Sequence, residues 1–285
     1  MPELPEVESV RRLLEPGLAG RSFARVEIGD PRLTRPFDPL AVARELAGER
    51  VEALERRGKY LIVRFASGRA LVVHLRMTGS LRHGHAGTLP PDPYRRALIG
   101  LDDGSELAYR DVRRFGTWLL LEPGELGAYL DARVGTEPLG PGFTARALGR
   151  RLAGRRAPVK AALLDQRTVA GLGNIYADEA LWRARIHPLR EAGRLDPAEV
   201  KALRTAIRTV LVRGIERQGS TLRDYALPDG GRGRMQHEFS VYGRTGEPCR
   251  RCGTPIEKIR AGGRGTWYCP SCQAAAHPVA AGRPA

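Results

Sequence analysis

The first residues of the sequence combine a potential nucleophile with two acids. Removal of Met1 would expose the secondary amine of Pro2, with Glu3 and Glu6 beside it. An α-amino group, with a pKa of about 7.7–8.0, is partly neutral near pH 7.5, whereas a lysine, at about 10.4, is almost fully protonated. A secondary amine that attacks an electrophilic carbon gives an iminium, which acts as an electron sink. An ordinary processed N-terminus ahead of a capped helix is the structural alternative.

Four cysteines form two pairs that are suited to bind a metal. Cys249 and Cys252 are separated by two residues, as are Cys269 and Cys272, and 16 residues (253–268) lie between the pairs. Paired thiolates at this spacing favour one structural Zn²⁺ held in a β-hairpin ribbon. Disulfides are disfavoured, because a ring closed across two residues is strained.

The charge balance points to a polyanion as the partner. The chain of 285 residues has 47 Lys+Arg against 32 Asp+Glu, a formal net charge of +15. Nucleic acid is favoured over a membrane, because no apolar run approaches the roughly 18 residues of a spanning helix. We expect a cytoplasmic protein. Only four of the basic residues are lysines, and a retained lysine such as Lys59 or Lys160 weakly favours an amine that arginine could not replace.

Two kinds of segment must position these groups. Apolar residues at helical spacing predict a helix that starts at Pro5 and ends before Pro16-Gly17. Short alternating strands follow up to Leu121, with turns at Ala66-Ser-Gly68 and Asp102-Asp-Gly104, which predicts an antiparallel sandwich or barrel.

A segment rich in Gly and Pro predicts a linker before a helical region. There a helix, a glycine turn and a second helix capped by Asn174 form a helical hairpin on a basic background. Asp196, Pro197 and Glu199 predict the start of a longer amphipathic helix. The following Gly-rich stretch, 218–238, predicts a functional loop or disorder.

Seven motifs in order resemble the bacterial formamidopyrimidine-DNA glycosylase family. They are Pro2-Glu-Leu-Pro-Glu-Val7, Arg57-Gly-Lys-Tyr-Leu61, Asp111-Val-Arg-Arg-Phe-Gly116, Gly171-Leu-Gly-Asn-Ile-Tyr-Ala-Asp-Glu179, Gln236-His237, Val241-Tyr-Gly-Arg244 and the cysteine ribbon. The resemblance implies an α+β fold, with an N-terminal helix and antiparallel β-sandwich, a helix-two-turn-helix domain and a zinc-finger hairpin. The expected ranges are 1–135 for the sandwich domain, 136–145 for a linker, 146–240 for the helical domain with a lesion loop at 217–237, 241–275 for the zinc finger and 276–285 for a disordered tail.

The resemblance also implies roles for individual residues. Pro2 would attack the sugar of a damaged nucleoside, Glu3 would protonate its ring oxygen, and Lys59 and Arg264 would serve the first and second strand eliminations, with Glu6 and Glu179 in support. Met77, Arg113 and Phe115 would fill the gap left by the extruded base. Further contacts to damaged duplex DNA, bound by a monomer, would come from Arg155, Lys160, Asn174 and Tyr242.

Some positions depart from the family, and two alternatives remain open. Tyr94 stands where the family often has His, so a DNA contact there is an open question. A related enzyme of the endonuclease VIII type, which prefers oxidised pyrimidines, usually has glycine where this chain has Leu4. A non-enzymatic zinc-ribbon protein that binds damaged DNA would share the charge, the hairpin and the ribbon.

Overall fold

The computed structural model describes residues 1–274 and groups them into two compact units. The N-terminal unit holds Met1–Arg133 and Gly214–Gln236, and the C-terminal unit holds Val134–Arg213 and residues 237–274. The sequence analysis assigned 217–237 to the second domain. The structure instead groups most of this segment with the N-terminal unit, because Ser220 and Tyr225 both donate hydrogen bonds to Glu6.

Two antiparallel sheets make up most of the N-terminal unit. In sequence order its elements are α1 (Leu4–Leu18), β1 (Phe23–Ile28), α2 (Pro39–Leu46), β2 (Val51–Arg57), β3 (Tyr60–Phe65), β4 (Ala70–His74), β5 (Gly79–His85), β6 (Arg95–Leu101), β7 (Ser105–Asp111), β8 (Thr117–Leu121) and α3 (Glu125–Asp131). One sheet has the order β1-β6-β7-β5 and the other β2-β3-β4-β8. Side chains from both sheets and from α1 share one apolar core, so the predicted β-sandwich is confirmed.

Sequence reasoning missed four of these elements. Helix α2 is short and begins at Asp38, whose carboxylate accepts a hydrogen bond from the backbone N–H of Ala41 at 3.0 Å. Strand β2 is mostly charged and buries only Val51 and Leu54 fully, which hides its alternation. Strand β5 and helix α3 were not predicted either. These segments adopt their structure through pairing and packing more than through local propensity.

The C-terminal unit is helical and ends in a two-stranded hairpin. Its elements are α4 (Ala145–Leu152), α5 (Val159–Leu164), α6 (Asn174–Ala184), α7 (Pro197–Glu216), β9 (Glu257–Ala261) and β10 (Arg264–Tyr268), and the last residues of α7 belong to the N-terminal unit. The capping box of α7 is confirmed, since Asp196 and Glu199 each accept a hydrogen bond from the other's backbone N–H at 2.8 and 2.9 Å.

Two expectations for this unit need correction. Helix α6 is capped by Gly173, not by Asn174, because the Asn174 amide donates a hydrogen bond to the carbonyl of Gly265 at 3.1 Å. The expected linker at 136–145 is packed within the unit: Phe143 is buried, and Arg208 donates a hydrogen bond to the carbonyl of Pro138 at 3.0 Å.

Two further observations concern the chain as a whole. No helix within residues 1–274 is long and apolar enough to span a membrane. The tail at 276–285, which the sequence analysis expected to be disordered, lies outside the described residues.

Candidate active site and zinc centre

The start of α1 fixes the two acids next to Pro2. Glu3 is the N-cap residue, and Glu3 and Glu6 form a reciprocal capping box in which the backbone N–H of Glu3 donates to a Glu6 carboxylate oxygen at 2.9 Å. The other Glu6 oxygen accepts hydrogen bonds from the backbone N–H and the hydroxyl of Ser220, at 2.8 and 3.1 Å. Pro2, Glu3 and Glu6 are all buried. The capped helix and the loop containing Ser220 therefore hold both acids in fixed positions.

Lys59 lies in the turn between β2 and β3 and is 5% exposed. His74, at the end of β4, is close enough for the charges of Arg76 and Lys59 to act on it. Burial first and these two charges second lower the pKa of His74 from about 6.5 to about 3. Its Nδ1 accepts a hydrogen bond from the backbone N–H of Arg76 at 3.0 Å, so the neutral ring carries its proton on Nε2. This imidazole is a fixed neutral donor, which the sequence analysis missed.

Three residues expected to fill a gap in DNA lie on two adjacent loops of the N-terminal unit. Phe115 is 51% exposed, Arg113 is exposed, and Met77 is partly buried. The Arg113 guanidinium lies 4.7 Å from the centre of the Phe115 ring. An exposed apolar side chain beside a cation suits insertion into a base stack. Insertion of these side chains into DNA stays a prediction.

A cavity of about 570 Å³ lies beside this group. Met77 and Phe115 line it, and so does Met1, the residue before Pro2. The remaining lining residues are four arginines and a short backbone stretch: Arg32, Arg35, Arg76, Arg114, Gly116 and Thr117. A concave surface lined by four arginines, one of which is paired with Asp30, favours phosphate binding. Sequence reasoning missed Arg32 and Arg35, since single arginines do not stand out in so basic a chain.

Tyr94 precedes β6 and is 40% exposed. The guanidinium groups of Arg110 and Arg96 lie 5.1 and 5.8 Å from its ring centre. Asp92 orders the loop, because it pairs with Arg110 at 2.7 Å and accepts a hydrogen bond from the backbone N–H of Tyr94 at 2.8 Å. The exposed ring therefore lies close to two cations.

In the C-terminal unit, the structure gives Lys160 a different setting from the expected one. Its side chain is fully buried and pairs with Asp178 at 2.7 Å. The ammonium also donates hydrogen bonds to the carbonyl of Gly265 at 3.0 Å and to the hydroxyl of Thr266 at 2.7 Å. Lys160 thus joins α5 and α6 to β10 and is not exposed for phosphate binding. Arg155, by contrast, is about one-third exposed and pairs with Asp165 at 3.0 Å.

Glu179 on α6 organises the segment that contains Tyr242. Its carboxylate accepts hydrogen bonds from the backbone N–H groups of Ser240, Val241 and Tyr242, at 2.9–3.0 Å. Burial raises the pKa of Glu179, and these hydrogen bonds oppose the shift. The Tyr242 ring packs 4.5 Å from the Trp267 ring, measured between centres. Glu179 therefore positions Tyr242 and the chain around it.

Arg264 is exposed at the start of β10, directly after the Gly262-Gly263 turn. The next residues of β10 are fixed: the Gly265 carbonyl accepts from Lys160 and Asn174, and the Trp267 backbone N–H donates to Asp178 at 3.1 Å. An exposed guanidinium on an anchored strand suits a phosphate contact.

The four cysteines meet at one end of this hairpin. Their Sγ atoms all lie within 4.8 Å of one another, with Cys252–Cys269 at 3.5 Å and Cys249–Cys272 at 4.0 Å. Zn–S bonds of about 2.3 Å in a tetrahedron require S···S distances of about 3.8 Å, so the donor set fits one structural Zn²⁺. The Trp182 indole donates to Cys249 Sγ at 3.3 Å, which holds that ligand in place.

These features are those of a DNA-binding protein with a structural zinc site. Three family models match the chain: "Formamidopyrimidine-DNA glycosylase N-terminal domain" over residues 1–118, "Formamidopyrimidine-DNA glycosylase H2TH domain" over 134–226, and "Zinc finger found in FPG and IleRS" over 246–275. The chain belongs to the formamidopyrimidine-DNA glycosylase family. This family consists of DNA-repair enzymes, which removes the non-enzymatic binder from the alternatives.

Individual relatives agree over nearly the whole chain. A formamidopyrimidine-DNA glycosylase of Symbiobacterium thermophilum is 51% identical over 98% of this chain and 92% of its own length. The Lactococcus lactis FPG (MutM), solved in complex with Fapy-dG-containing DNA, superimposes with a TM-score of 0.88 at 38% identity, covering 96% of this chain and 100% of that one. MutM in complex with carbocyclic 8-oxo-G-containing DNA gives a TM-score of 0.89 at 39% identity with the same coverage.

Proposed function

We propose that this member of the family is a bifunctional glycosylase and AP lyase. It removes oxidised purines, 8-oxoguanine and formamidopyrimidines, from duplex DNA and then cleaves the strand by β,δ-elimination. We further propose that it acts as a monomer in the bacterial cytoplasm. The observation that carries the proposal is the arrangement at α1, where Pro2 directly precedes an N-cap built from Glu3 and Glu6.

The first chemical step uses the neutral Pro2 amine. After removal of Met1, the Pro2 nitrogen forms a bond to the anomeric carbon of the damaged nucleoside. The bond from that carbon to the base breaks, its electron pair leaves with the base, and the proton lost by the amine balances the proton taken up by the base. Glu3 delivers a proton to the sugar ring oxygen, so that the ring opens as the cationic iminium forms. Glu6 holds the backbone N–H of Glu3 and so fixes the geometry of the acid.

The later steps are proton transfers that break the strand. The iminium draws electrons from the neighbouring carbon, whose proton is removed as the 3′ phosphate leaves, and Lys59 is proposed as the acid/base partner. Arg264 is proposed to assist the second elimination and to bind phosphate. His74, which accepts a hydrogen bond from the backbone N–H of Arg76, is held neutral and so adds no second charge near Lys59.

The DNA contacts divide into three groups. Met77, Arg113 and Phe115 are proposed to occupy the gap left by the extruded base, with Arg113 directed to the orphaned cytosine. Arg155, Asn174, Tyr242 and Arg264 are proposed to contact phosphates, whereas Lys160 is assigned to structure because it is fully buried. Tyr94 is proposed as a further contact, on the strength of its exposed ring.

Borohydride trapping tests this assignment. The purified protein, shown by intact mass to lack Met1, should form a covalent complex with a duplex containing 8-oxoguanine opposite cytosine. Protein that retains Met1 has an amide at the Pro2 nitrogen and should give no complex, and Pro2→Gly should also abolish trapping. Trapping that survives both changes would exclude Pro2 as the nucleophile.

The endonuclease VIII-type alternative requires its own measurement. Leu4 occupies the position where that group usually has glycine, and the matched relatives are formamidopyrimidine-DNA glycosylases, so purine lesions are favoured. Single-turnover excision of 8-oxoguanine opposite cytosine should exceed that of thymine glycol. The reverse order would support the alternative.

A further inference from the structure

One buried carboxylate connects the two loops that contain the gap-filling residues. Asp111, the last residue of β7, is 1% exposed. One of its oxygens accepts a short hydrogen bond from the Thr78 hydroxyl, and the other accepts from the backbone N–H of Gly116 at 2.7 Å. The Thr78 oxygen in turn accepts from the backbone N–H of Arg113 at 2.9 Å. Thr78 follows Met77, so this chain of hydrogen bonds sets the distance between the Met77 loop and the loop of Arg113 and Phe115.

The backbone of Asp111 fixes a third segment. Its N–H donates to the carbonyl of Tyr94 at 3.0 Å, and its own carbonyl accepts from the Arg96 guanidinium at 2.9 Å. The segment that carries the Tyr94 ring, near Arg96 and Arg110, is therefore hydrogen-bonded to Asp111, as the two loops are. Three separate stretches of sequence with exposed DNA-facing candidates meet at Asp111.

Each of the two loops contains a non-glycine residue in the left-handed backbone conformation, which such residues adopt only when the surrounding structure enforces it. Arg76 and Arg114 have φ values of 52° and 59°, and they directly neighbour Met77, Arg113 and Phe115. Such conformations persist where the surrounding structure enforces them, and they concentrate at functional sites. The Arg114 guanidinium is held by buried Asp30 at 2.6 and 2.8 Å.

The Tyr109 side chain packs so closely against both loops that two positions there must be glycine. A Cβ on Gly79 or Gly116 would lie 2.4 or 1.7 Å from the Tyr109 hydroxyl, so both glycines are required by a close approach. The Tyr109 side chain is fully buried. Buried Tyr109 therefore packs directly beneath both loops, and the Asp111–Thr78 hydrogen bond fixes the distance between the loops.

We propose that Asp111 and Thr78 are positioning residues that hold Met77, Arg113 and Phe115 in the geometry needed to replace an extruded base. The proposal rests on the proposed function, since it assumes that these three side chains fill the gap. Neither Asp111 nor Thr78 touches the reacting atoms. Their loss should impair the removal of a stacked, paired base more than the cleavage of a site that has no base to extrude.

Thr78→Val and Thr78→Ser form a matched pair for the test. Valine has nearly the same shape as threonine but lacks the hydroxyl, so it leaves an Asp111 oxygen and the Arg113 N–H without this partner, whereas serine keeps the hydroxyl. We expect Thr78→Val to lower single-turnover excision of 8-oxoguanine opposite cytosine about three- to tenfold, the usual range for one hydrogen bond. Nicking of a preformed abasic duplex should change less than about twofold. Thr78→Ser should restore excision.

A second measurement separates positioning from a general effect on folding. 2-Aminopurine beside the lesion should show weaker unstacking with Thr78→Val than with the parent protein. In a Met77→Ala background, Thr78→Val should cause a smaller further loss than it does in the parent protein, because part of its effect passes through Met77. Asp111→Asn, which keeps an acceptor for Gly116, is a second variant and should change excision in the same direction.

Two results would overturn the proposal. One is an equal loss of excision and abasic nicking that follows the folded fraction measured by thermal melting. The other is a loss from Thr78→Val that adds in full to that of Met77→Ala. Failure of the parent protein to be trapped on abasic DNA would instead refute the proposed function, so the two failures are distinguishable.

Discussion

At the scale of single residues, burial decides which charges the site carries. Lys59 and His74 are both nitrogen bases at neighbouring strand ends, and both are buried. His74 is kept neutral, because burial and two nearby cations lower its pKa to about 3. A neutral imidazole near Lys59 avoids repulsion between two cations and still offers a hydrogen bond.

This protonation state predicts a specific loss of stability in acid. In the unfolded chain a histidine takes up a proton below about pH 6.5, whereas folded His74 does so only near pH 3. The unfolded state therefore binds more protons between these values, and the free energy of unfolding falls as the pH is lowered through this window. His74→Asn keeps an acceptor for Arg76 and does not titrate. Urea denaturation at pH 7, 5 and 4 should show an acid-induced loss smaller by a few kcal/mol for this variant.

His85→Asn is the control for that measurement, because His85 is exposed on the same unit. It should leave the pH dependence close to that of the parent protein. Identical curves for His74→Asn and the parent would show that His74 is protonated at its ordinary pKa in the folded state.

At the scale of elements, the pair of Lys160 and Asp178 determines where β10 lies against α5 and α6. Both side chains are fully buried, and between them they bond to Gly265, Thr266 and Trp267. Arg264 directly precedes these three residues. Its placement therefore depends on a helix–strand contact that lies well apart from Arg264 in the sequence.

Removing one member of this pair should be costly. Lys160→Met leaves the Asp178 carboxylate buried without its cation, and such a change typically costs about 3–5 kcal/mol. The double variant Lys160→Met with Asp178→Asn keeps an acceptor for the Trp267 N–H, so its loss of unfolding free energy should be smaller than that of Lys160→Met alone. Chemical denaturation measures both. A double variant that loses as much unfolding free energy as Lys160→Met alone, or more, would contradict the pairing.

At the scale of the whole molecule, the excess of arginine should appear as salt-dependent DNA affinity. The net charge of +15 favours polyanions, and each neutralised phosphate contributes about −0.9 to the slope of log K against log salt. Arg32 and Arg35 are exposed and line the cavity that Met77 and Phe115 also line. These two arginines are therefore expected to face phosphates.

The combined change Arg32→Gln and Arg35→Gln should reduce the magnitude of this slope by about one to two. Arg44→Gln is the matched control, because Arg44 is exposed on α2 of the same unit but does not line the cavity. Fluorescence anisotropy with a lesion duplex at several salt concentrations gives the slopes. Equal slopes for the parent and the double variant would remove these arginines from the DNA contacts.

The sequence by itself determined the features that depend on residues close together in the chain. The start of the helix near Pro5, the capping box at Asp196 and the spacing of the four cysteines follow from local rules, and the seven motifs indicated the family. The predicted end of that helix before Pro16 was wrong, because α1 continues through Pro16 to Leu18. Turn positions at Gly68 and Gly104 could also be predicted, and both glycines have positive φ. These features could be predicted from the sequence because each depends on a few residues that are close together in the chain.

Only the tertiary structure decided which polar groups are exposed and which are consumed by internal contacts. Lys160 was expected to face phosphates, yet its side chain is fully buried against Asp178. In the sequence, Asp111 was only one residue of a family motif. Its hydrogen bonds to Thr78 and Gly116 form only when the end of β7 packs against two loops. Burial and hydrogen bonding between distant segments depend on packing, which local sequence patterns do not specify.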